Sequence, residues 1–250
     1  MNYNDLTAEE MARRSLDYAE IQNVWAAHAY CYRACAQRYE LDNFWAKEHD
    51  DITYAHESTA YTGRELVYRY YATSNEMMDE EKLKIMSELF PDKVENKPEN
   101  RGVGELVIRC LTSPYIEIAR DGKTAKGIWQ TIGLSTEINR QGVPVPFLQI
   151  GKECVDFVRE SDGWKIWHFR TASDFDYLID PKVLTTNPFE GLASRTVLGT
   201  FPPSNVTIYP FAETGYSPTR PATFSPPLPE PYDTWTDSMS YARPADENGK

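Results

Sequence analysis

The 250-residue chain has no uncharged apolar run near the ~20 residues that span a bilayer. Its N-terminus, MNYNDLTAEEMARR, is acidic and lacks an apolar h-region. A soluble, cytoplasmic protein is expected. Positive charge is scarce: 26 Lys and Arg stand against 38 Asp and Glu, giving a formal net charge of -12 and a pI near 4.9. Because Lys and Arg are what neutralise phosphate, neither nucleic acid nor an anionic membrane surface is an expected partner. Cysteine is sparse as well. Cys31, Cys35, Cys110 and Cys154 form no CxxC pair and have no His at zinc-ligand spacing, which argues against a disulfide scaffold and a zinc site. Walker, Rossmann, HExxH, GxSxG and EF-hand patterns are all missing. Any catalysis is therefore expected to need no cofactor and no metal.

What the chain does have is aromatics and, late on, proline. A hydrophobic fraction of 41% supports a sizeable core. Twelve of the 17 prolines lie beyond Asp176, too many for regular helix or sheet. Yet Phe201, Ile208, Tyr209, Phe211, Tyr216, Phe224, Tyr232, Trp235 and Tyr241 are spaced along that stretch, and disordered segments are poor in such residues. The expected organisation is a domain over 1–176 and an extended arm over 177–250 that docks its aromatics on the domain or on a partner subunit. Only residues 242–250 are expected to fray.

Within 1–176 helices come first. Met11, Leu16, Ile21, Val24, Trp25, His28 and Tyr32 recur at helical spacing, and Thr7 with Glu10 reads as a capping box. A short helix is predicted at 41–47, a strand at 52–56, a turn at Gly63 and a helix at 64–78. A charged helical excursion and loop follow over 79–104, bordering a site entrance. Strands are predicted at 105–111, 115–119, 124–134, 147–158 and 164–173, with Asp121-Gly122 and Asp162-Gly163 marking hairpins. Helices followed by a meandering antiparallel sheet make the fold class α+β.

Three strings in this order, HDDITYAHESTAYTGRELVYRYY, ARDGKTAKGIWQTIG and CVDFVRESDGWKIWHFR, resemble the SnoaL-like branch of the nuclear transport factor 2-like (NTF2-like) superfamily over roughly residues 10–176. The resemblance implies a cone, with N-terminal helices packed in a strongly bent antiparallel sheet around an apolar cavity open at one end. The superfamily includes ketosteroid isomerase, scytalone dehydratase and cofactor-free lyases, as well as pure binders, so the fold alone does not set the function. Homo-oligomers, dimers or higher, are common in it. Matched to ketosteroid isomerase, His56 falls where that enzyme carries its general base, and Tyr32 falls on its oxyanion-stabilising tyrosine. The isomerase's protonated aspartate would fall near Cys154 or Val155, where no carboxyl stands.

Read by its own alternation, the closing strand puts Trp164, Ile166, His168 and Arg170 on one face. If the Trp and Ile mark the inner side, His168 and Arg170 enter the cavity with Tyr54 and His56. His56, His168 and Tyr32 are thus the catalytic candidates, since imidazoles are best poised for proton transfer near neutral pH. Tyr54, Lys152, Arg170, His28 and Trp129 are candidates for holding the substrate. Each has a plain rival: a satisfied core histidine for His168, a core spacer for His28, packing for Tyr32, and a solvated rim charge for Lys152 and Arg170. The 13% aromatic content suits flat phenolic ligands as well as it suits a core. The proline-rich arm also resembles that of superfamily lyases that remove water and formaldehyde from a lignin-derived diaryl-1,3-propanediol, leaving a stilbene. The expected function is such a cofactor-independent lyase. The alternatives are a dehydratase or isomerase of another aromatic, polyketide or steroid-like substrate, and a non-catalytic small-molecule binder.

Overall fold

The computed structural model describes residues 6–56, 58–178, 207–208 and 232–242. Helix α1 spans Ala8–Arg33 as one piece, and Thr7 caps it: its side chain accepts from the Glu10 amide while the Glu10 carboxylate takes the Thr7 amide. Ile21, Val24, Trp25, His28 and Cys31 form its buried stripe. The helix ends where Cys35 adopts a left-handed backbone, φ 53°. Helix α2, Gln37–Phe44, begins four residues earlier than expected. Strands β1, Thr53–His56, and β2, Thr59–Thr62, form a hairpin whose second strand the sequence did not announce. Gly63 follows at φ 94°, a conformation open to glycine at little cost, and leads into α3, Arg64–Val67. A π-helical stretch, Tyr68–Thr73, joins α3 to α4, Ser74–Leu89.

Four long strands complete the domain: β3, Leu106–Ile118; β4, Thr124–Ile138; β5, Pro144–Glu160; and β6, Gly163–Leu178. The two strands expected at 105–111 and 115–119 are one, because a bulge at Thr112–Tyr115 absorbs Ser113 and Pro114 without ending the pairing with β4. With the two-residue β7, Thr207–Ile208, the curved, open sheet runs in the order β3-β4-β5-β6-β1-β2-β7. Its pairs are antiparallel except β1 with β6, which is parallel.

The helices cover the concave face. Trp25 is fully buried there, edge-on to Phe157 and Phe169 and 5.6 Å from Trp129. Burying each such ring is worth roughly 1.5–3 kcal/mol. Trp129 reaches back over Gly127, where an added Cβ would come within 2.4 Å of the indole. Gly127→Ala is therefore expected to lower stability by ~1–3 kcal/mol, read by chemical denaturation, as the indole is pushed into its neighbours.

On the convex face lie residues 232–242. Trp235 packs 4.7 Å from Trp167, Tyr241 against Ile128 and Cys154, and Ala242 against Ala55 and Ala60. Ala242, expected to fray, is completely buried. The remaining arm aromatics from Phe201 to Phe224 lie outside the described residues, as does the side chain of Ile208.

One irregularity decides which side chains enter the cone. Phe157 pairs with Ile166 but Asp156 pairs with His168, so Trp167 is an extra residue in β6. This bulge reverses the alternation. Trp164, Ile166, Phe169 and Thr171 face the helices, and His168 and Arg170 face away. The expected inward placement of His168 and Arg170 is thereby corrected.

Candidate functional site

Between α1, α4 and the open ends of β3, β4 and β5 lies a cleft of about 240 Å³. Tyr32, at the C-terminal end of α1, and Arg109, inward-facing on β3, form one wall, with the Arg109 guanidinium 5.5 Å from the Tyr32 ring centre. His56, the last residue of β1, lines the cleft from an exposed position at its rim. Tyr54 shares the inward parity of His56 and packs edge-on to Tyr71, 4.9 Å away. Burial pushes the hydroxyls of Tyr32 and Tyr54 up, with Arg109 pulling both the other way, so both are phenols at neutral pH.

Behind that wall His28 is 1% exposed and stacked on Trp25 at 4.3 Å. Its Nδ1 lies 3.0 Å from Glu40 Oε1 and its Nε2 lies 3.8 Å from Glu153 Oε1. Glu40 also accepts from Trp45 Nε1 at 3.0 Å and from the Tyr71 hydroxyl at 2.7 Å. Glu153 faces Arg109 as well, again at 3.8 Å. Burial alone would lower the His28 pKa, but Glu40 and then Glu153 outweigh it and raise it to about 9.

The opposite wall carries a second charged group. Lys82, on α4 and 5% exposed, contacts Glu105, lies 2.8 Å from Glu137 and stands 4.0 Å from Asp79. Three carboxyls share one ammonium here, and like charges crowded together hold a proton that separate ones would release. Burial pushes Glu105 up to about 7 despite Lys82, and it raises Asp79 too. Cys35 Sγ, Asp79 and Glu105 lie within 4.8 Å of one another, a possible ligand set for a metal. That set does not suit one well: the Lys82 ammonium already occupies the middle of the carboxylates, and burial pushes the Cys35 thiol up to about 12.

Four of the sequence candidates stand elsewhere. His168 is completely buried on the convex side, its Nδ1 3.0 Å from Asp156 Oδ2. The same carboxylate takes Lys126 Nζ at 3.1 Å, Ser240 Oγ at 2.9 Å and the Tyr241 amide at 3.3 Å. Ser240 and Asp156 address the same imidazole nitrogen, so the trio cannot pass a proton from serine through histidine to aspartate. Arg170 is buried on that side beside Cys154. Lys152 pairs with Asp174 at 2.6 Å. Trp129 is buried in the core against Trp25 and Phe157. The cleft thus brings together Tyr32 and His56, with Tyr54 and His28 in the wall behind them.

Residues 13–170 match the family model for the SnoaL-like domain. The chain belongs to the SnoaL-like domain family. Among solved structures this SnoaL-like chain is similar to the Kfla4162 protein of Kribbella flavida, with 15% identity, coverage of 65% of this chain and 94% of that one, and a TM-score of 0.46. It is also similar to a type 2 hexachlorocyclohexane dehydrochlorinase, LinA, with 14% identity, 67% and 92% coverage, and a TM-score of 0.45. A provisionally named scytalone dehydratase of Novosphingobium aromaticivorans shares 9% identity over 66% of this chain and 89% of its own, with a TM-score of 0.46. No curated protein matches the SnoaL-like chain in sequence.

Sequence reasoning missed Arg109, Lys82, Glu40 and Glu153 in this SnoaL-like cone. A signal for the first was present: alternation over 105–111 already puts Glu105, Val107, Arg109 and Leu111 on one face, two charged residues beside two apolar ones. Glu153 is the neighbour of Cys154, one of the two positions matched to the isomerase's protonated aspartate.

Proposed function

We propose that this SnoaL-like chain is a cofactor-independent lyase acting on a phenolic aromatic alcohol, and specifically on a diaryl-1,3-propanediol that yields a stilbene, water and formaldehyde. The observation that carries the reading is that Tyr32, Arg109 and His56 line one cleft with a cluster of three carboxyls, Asp79, Glu105 and Glu137, gathered around Lys82. Such a cleft offers an oxyanion site, a base and an acid.

Arg109 and the Tyr32 hydroxyl stabilise the para-phenolate. A carboxyl of the Lys82 cluster, with Glu105 near 7, gives its proton to the benzylic hydroxyl, which departs as water. A para-quinone methide results. His56 takes the proton of the terminal primary alcohol, the carbon-carbon bond breaks, and formaldehyde leaves as the bond's electrons flow into the quinone methide and restore the phenolate. One proton is given and one is taken, so no oxidant or reductant is needed. The ring is the electron sink.

A second reading, dehydration of a single-ring substrate with no one-carbon product, is favoured by size. At about 240 Å³ the cleft is smaller than the ~300–1,000 Å³ usual for drug-sized ligands, so it takes one ring and leaves a second at the mouth. The test is to incubate chelator-treated protein with an erythro diaryl-1,3-propanediol bearing a free para-phenol and to follow stilbene absorbance and formaldehyde together. Equimolar products are expected, with His56→Ala folded but ~10²–10⁴-fold slower. Stilbene and formaldehyde both missing would overturn the lyase reading; water loss without formaldehyde would favour the dehydratase.

A further inference from the structure

Both nitrogens of His28 face carboxylates, an arrangement that favours its protonated form. Nε2 faces Glu153 Oε1 at 3.8 Å. Nδ1 faces Glu40 Oε1 at 3.0 Å and the Tyr71 oxygen at 3.1 Å. The Tyr71 hydrogen is already spent on Glu40 Oε2. A neutral imidazole would aim a lone pair at one of these oxygens, whereas an imidazolium donates from Nδ1 to Glu40 and sets its Nε2–H toward Glu153 at ion-pair distance. Trp25, stacked at 7° on the ring, holds it in that orientation.

Glu153, 1% exposed, stands between two cations: its Oε1 lies 3.8 Å from His28 Nε2 and 3.8 Å from Arg109. Glu40, His28, Glu153 and Arg109 together sum to zero charge when His28 is protonated and to minus one when it is not. In the first case Glu153 divides its charge between two partners. In the second it draws on Arg109 alone.

We propose that His28 is a positioning residue whose positive charge occupies Glu153 and so leaves the Arg109 guanidinium to bind an anionic oxygen of the ligand, making the Tyr32–Arg109 end of the cleft a phenolate-type subsite. The proposal rests on the reading of this cleft as the substrate site, but not on any turnover. Its consequence is a pH step. Anion affinity is high while His28 is charged and falls as pH rises through about 9. The other groups facing the ring from every packed element are Glu40 on α2, Glu153 on β5, Arg109 on β3, Tyr71 on the π-helical stretch, and Tyr32 on its own helix. Burial keeps both tyrosines neutral through that window.

The probe is 2,4-dinitrophenolate, a coloured anion ionised throughout pH 6–10, titrated against the full chain by difference absorbance, with 2,4-dinitrotoluene as the neutral control. Wild-type affinity is expected to fall about tenfold between pH 7 and pH 10, with no step for the control. His28→Gln should bind about tenfold more weakly at pH 7 and lose the step, and Glu153→Gln should bind the anion more tightly than wild type. A residue that merely fills space would not tighten binding when its counter-charge partner is neutralised. Should the variants fail to fold, the His28 ring titration in wild type, followed by NMR, decides: a midpoint near 9 supports the proposal and one below about 7 overturns it. Affinity independent of pH, or a step retained in His28→Gln, overturns it as well. The dinitrophenolate response without stilbene or formaldehyde from the diol would sustain the subsite while removing the lyase reading.

Discussion

Replacing Arg109 by Met is expected to lower kcat/KM on a phenolic substrate by ~10²–10³, the usual cost of removing one donor to a developing oxyanion. The side chain is inward on β3, its guanidinium lies 5.5 Å from the Tyr32 ring, and Glu153 is its one salt-bridge partner among the described residues. Methionine keeps most of the apolar stem of arginine and removes the guanidinium with its charge and donors. The loss should be confined to substrates that must reach a phenolate. A para-methoxy analogue, unable to form one, should turn over at the same low rate in wild type and Arg109→Met. Steady-state kinetics on the two substrates with both proteins checks this; a methoxy substrate that wild type handles as fast as the phenol would remove the oxyanion role from Arg109.

The largest effect on stability is expected from Asp156→Ala. Asp156 is completely buried and accepts from Lys126, His168, Ser240 and the Tyr241 amide. Its removal leaves the Lys126 ammonium, only 5% exposed, without its carboxylate, a change that costs ~3–5 kcal/mol. For a chain of this size that is a fall in Tm of roughly 10 °C by calorimetry. It also unties residues 232–242, so Trp235 should move toward the fluorescence of a solvated indole. Burial raises the pKa of Asp156, but Lys126 and then His168 outweigh it and hold the carboxyl below its ordinary value. A carboxyl depressed in the folded state stabilises the fold above its unfolded pKa, and that contribution is lost as pH falls through the folded value. Wild type should therefore lose stability in acid more steeply than Asp156→Asn, measured as the denaturation midpoint against pH. Equal slopes would show that Asp156 does not carry this linkage.

The elements were legible where local pattern and tertiary placement agree. Thr7 and Glu10 announced the start of α1, and Ile21, Val24, Trp25 and His28 of its apolar spacing are buried, whereas Met11 and Leu16 at its start are exposed. His56, inside the first family string, and Tyr32, outside it, were located by the match to ketosteroid isomerase, and both line one cleft. The errors have distinct physical origins. Period-two alternation holds only while pairing is regular, and the single extra residue at Trp167 moved His168 and Arg170 to the other side of the sheet. Ser113 and Pro114 read as a break but form a bulge within β3, because a long strand tolerates a local kink when its partner continues. Lys82 and the carboxyls around it come from α4, from Glu105 just before β3, and from β4, segments far apart in the chain, and no local spacing connects them.

The parallel seam between β1 and β6 sets the order in which the cone can be completed. Thr53 pairs with His168, so the centre of the sheet joins a strand that precedes the long meander to the strand that ends it. Until β6 has been synthesised, the β1–β2 hairpin has no inner neighbour, and the Phe169 and Ile166 side chains that pack beneath α1 and α2 are not yet made. Pairings so distant along the chain carry a high closure entropy and slow the rate-limiting step of folding. Without β6, the β3–β5 meander and the β1–β2 hairpin share no pairing, and the middle of the sheet stays unfilled; closing that gap is what turns separate elements into one cooperative unit.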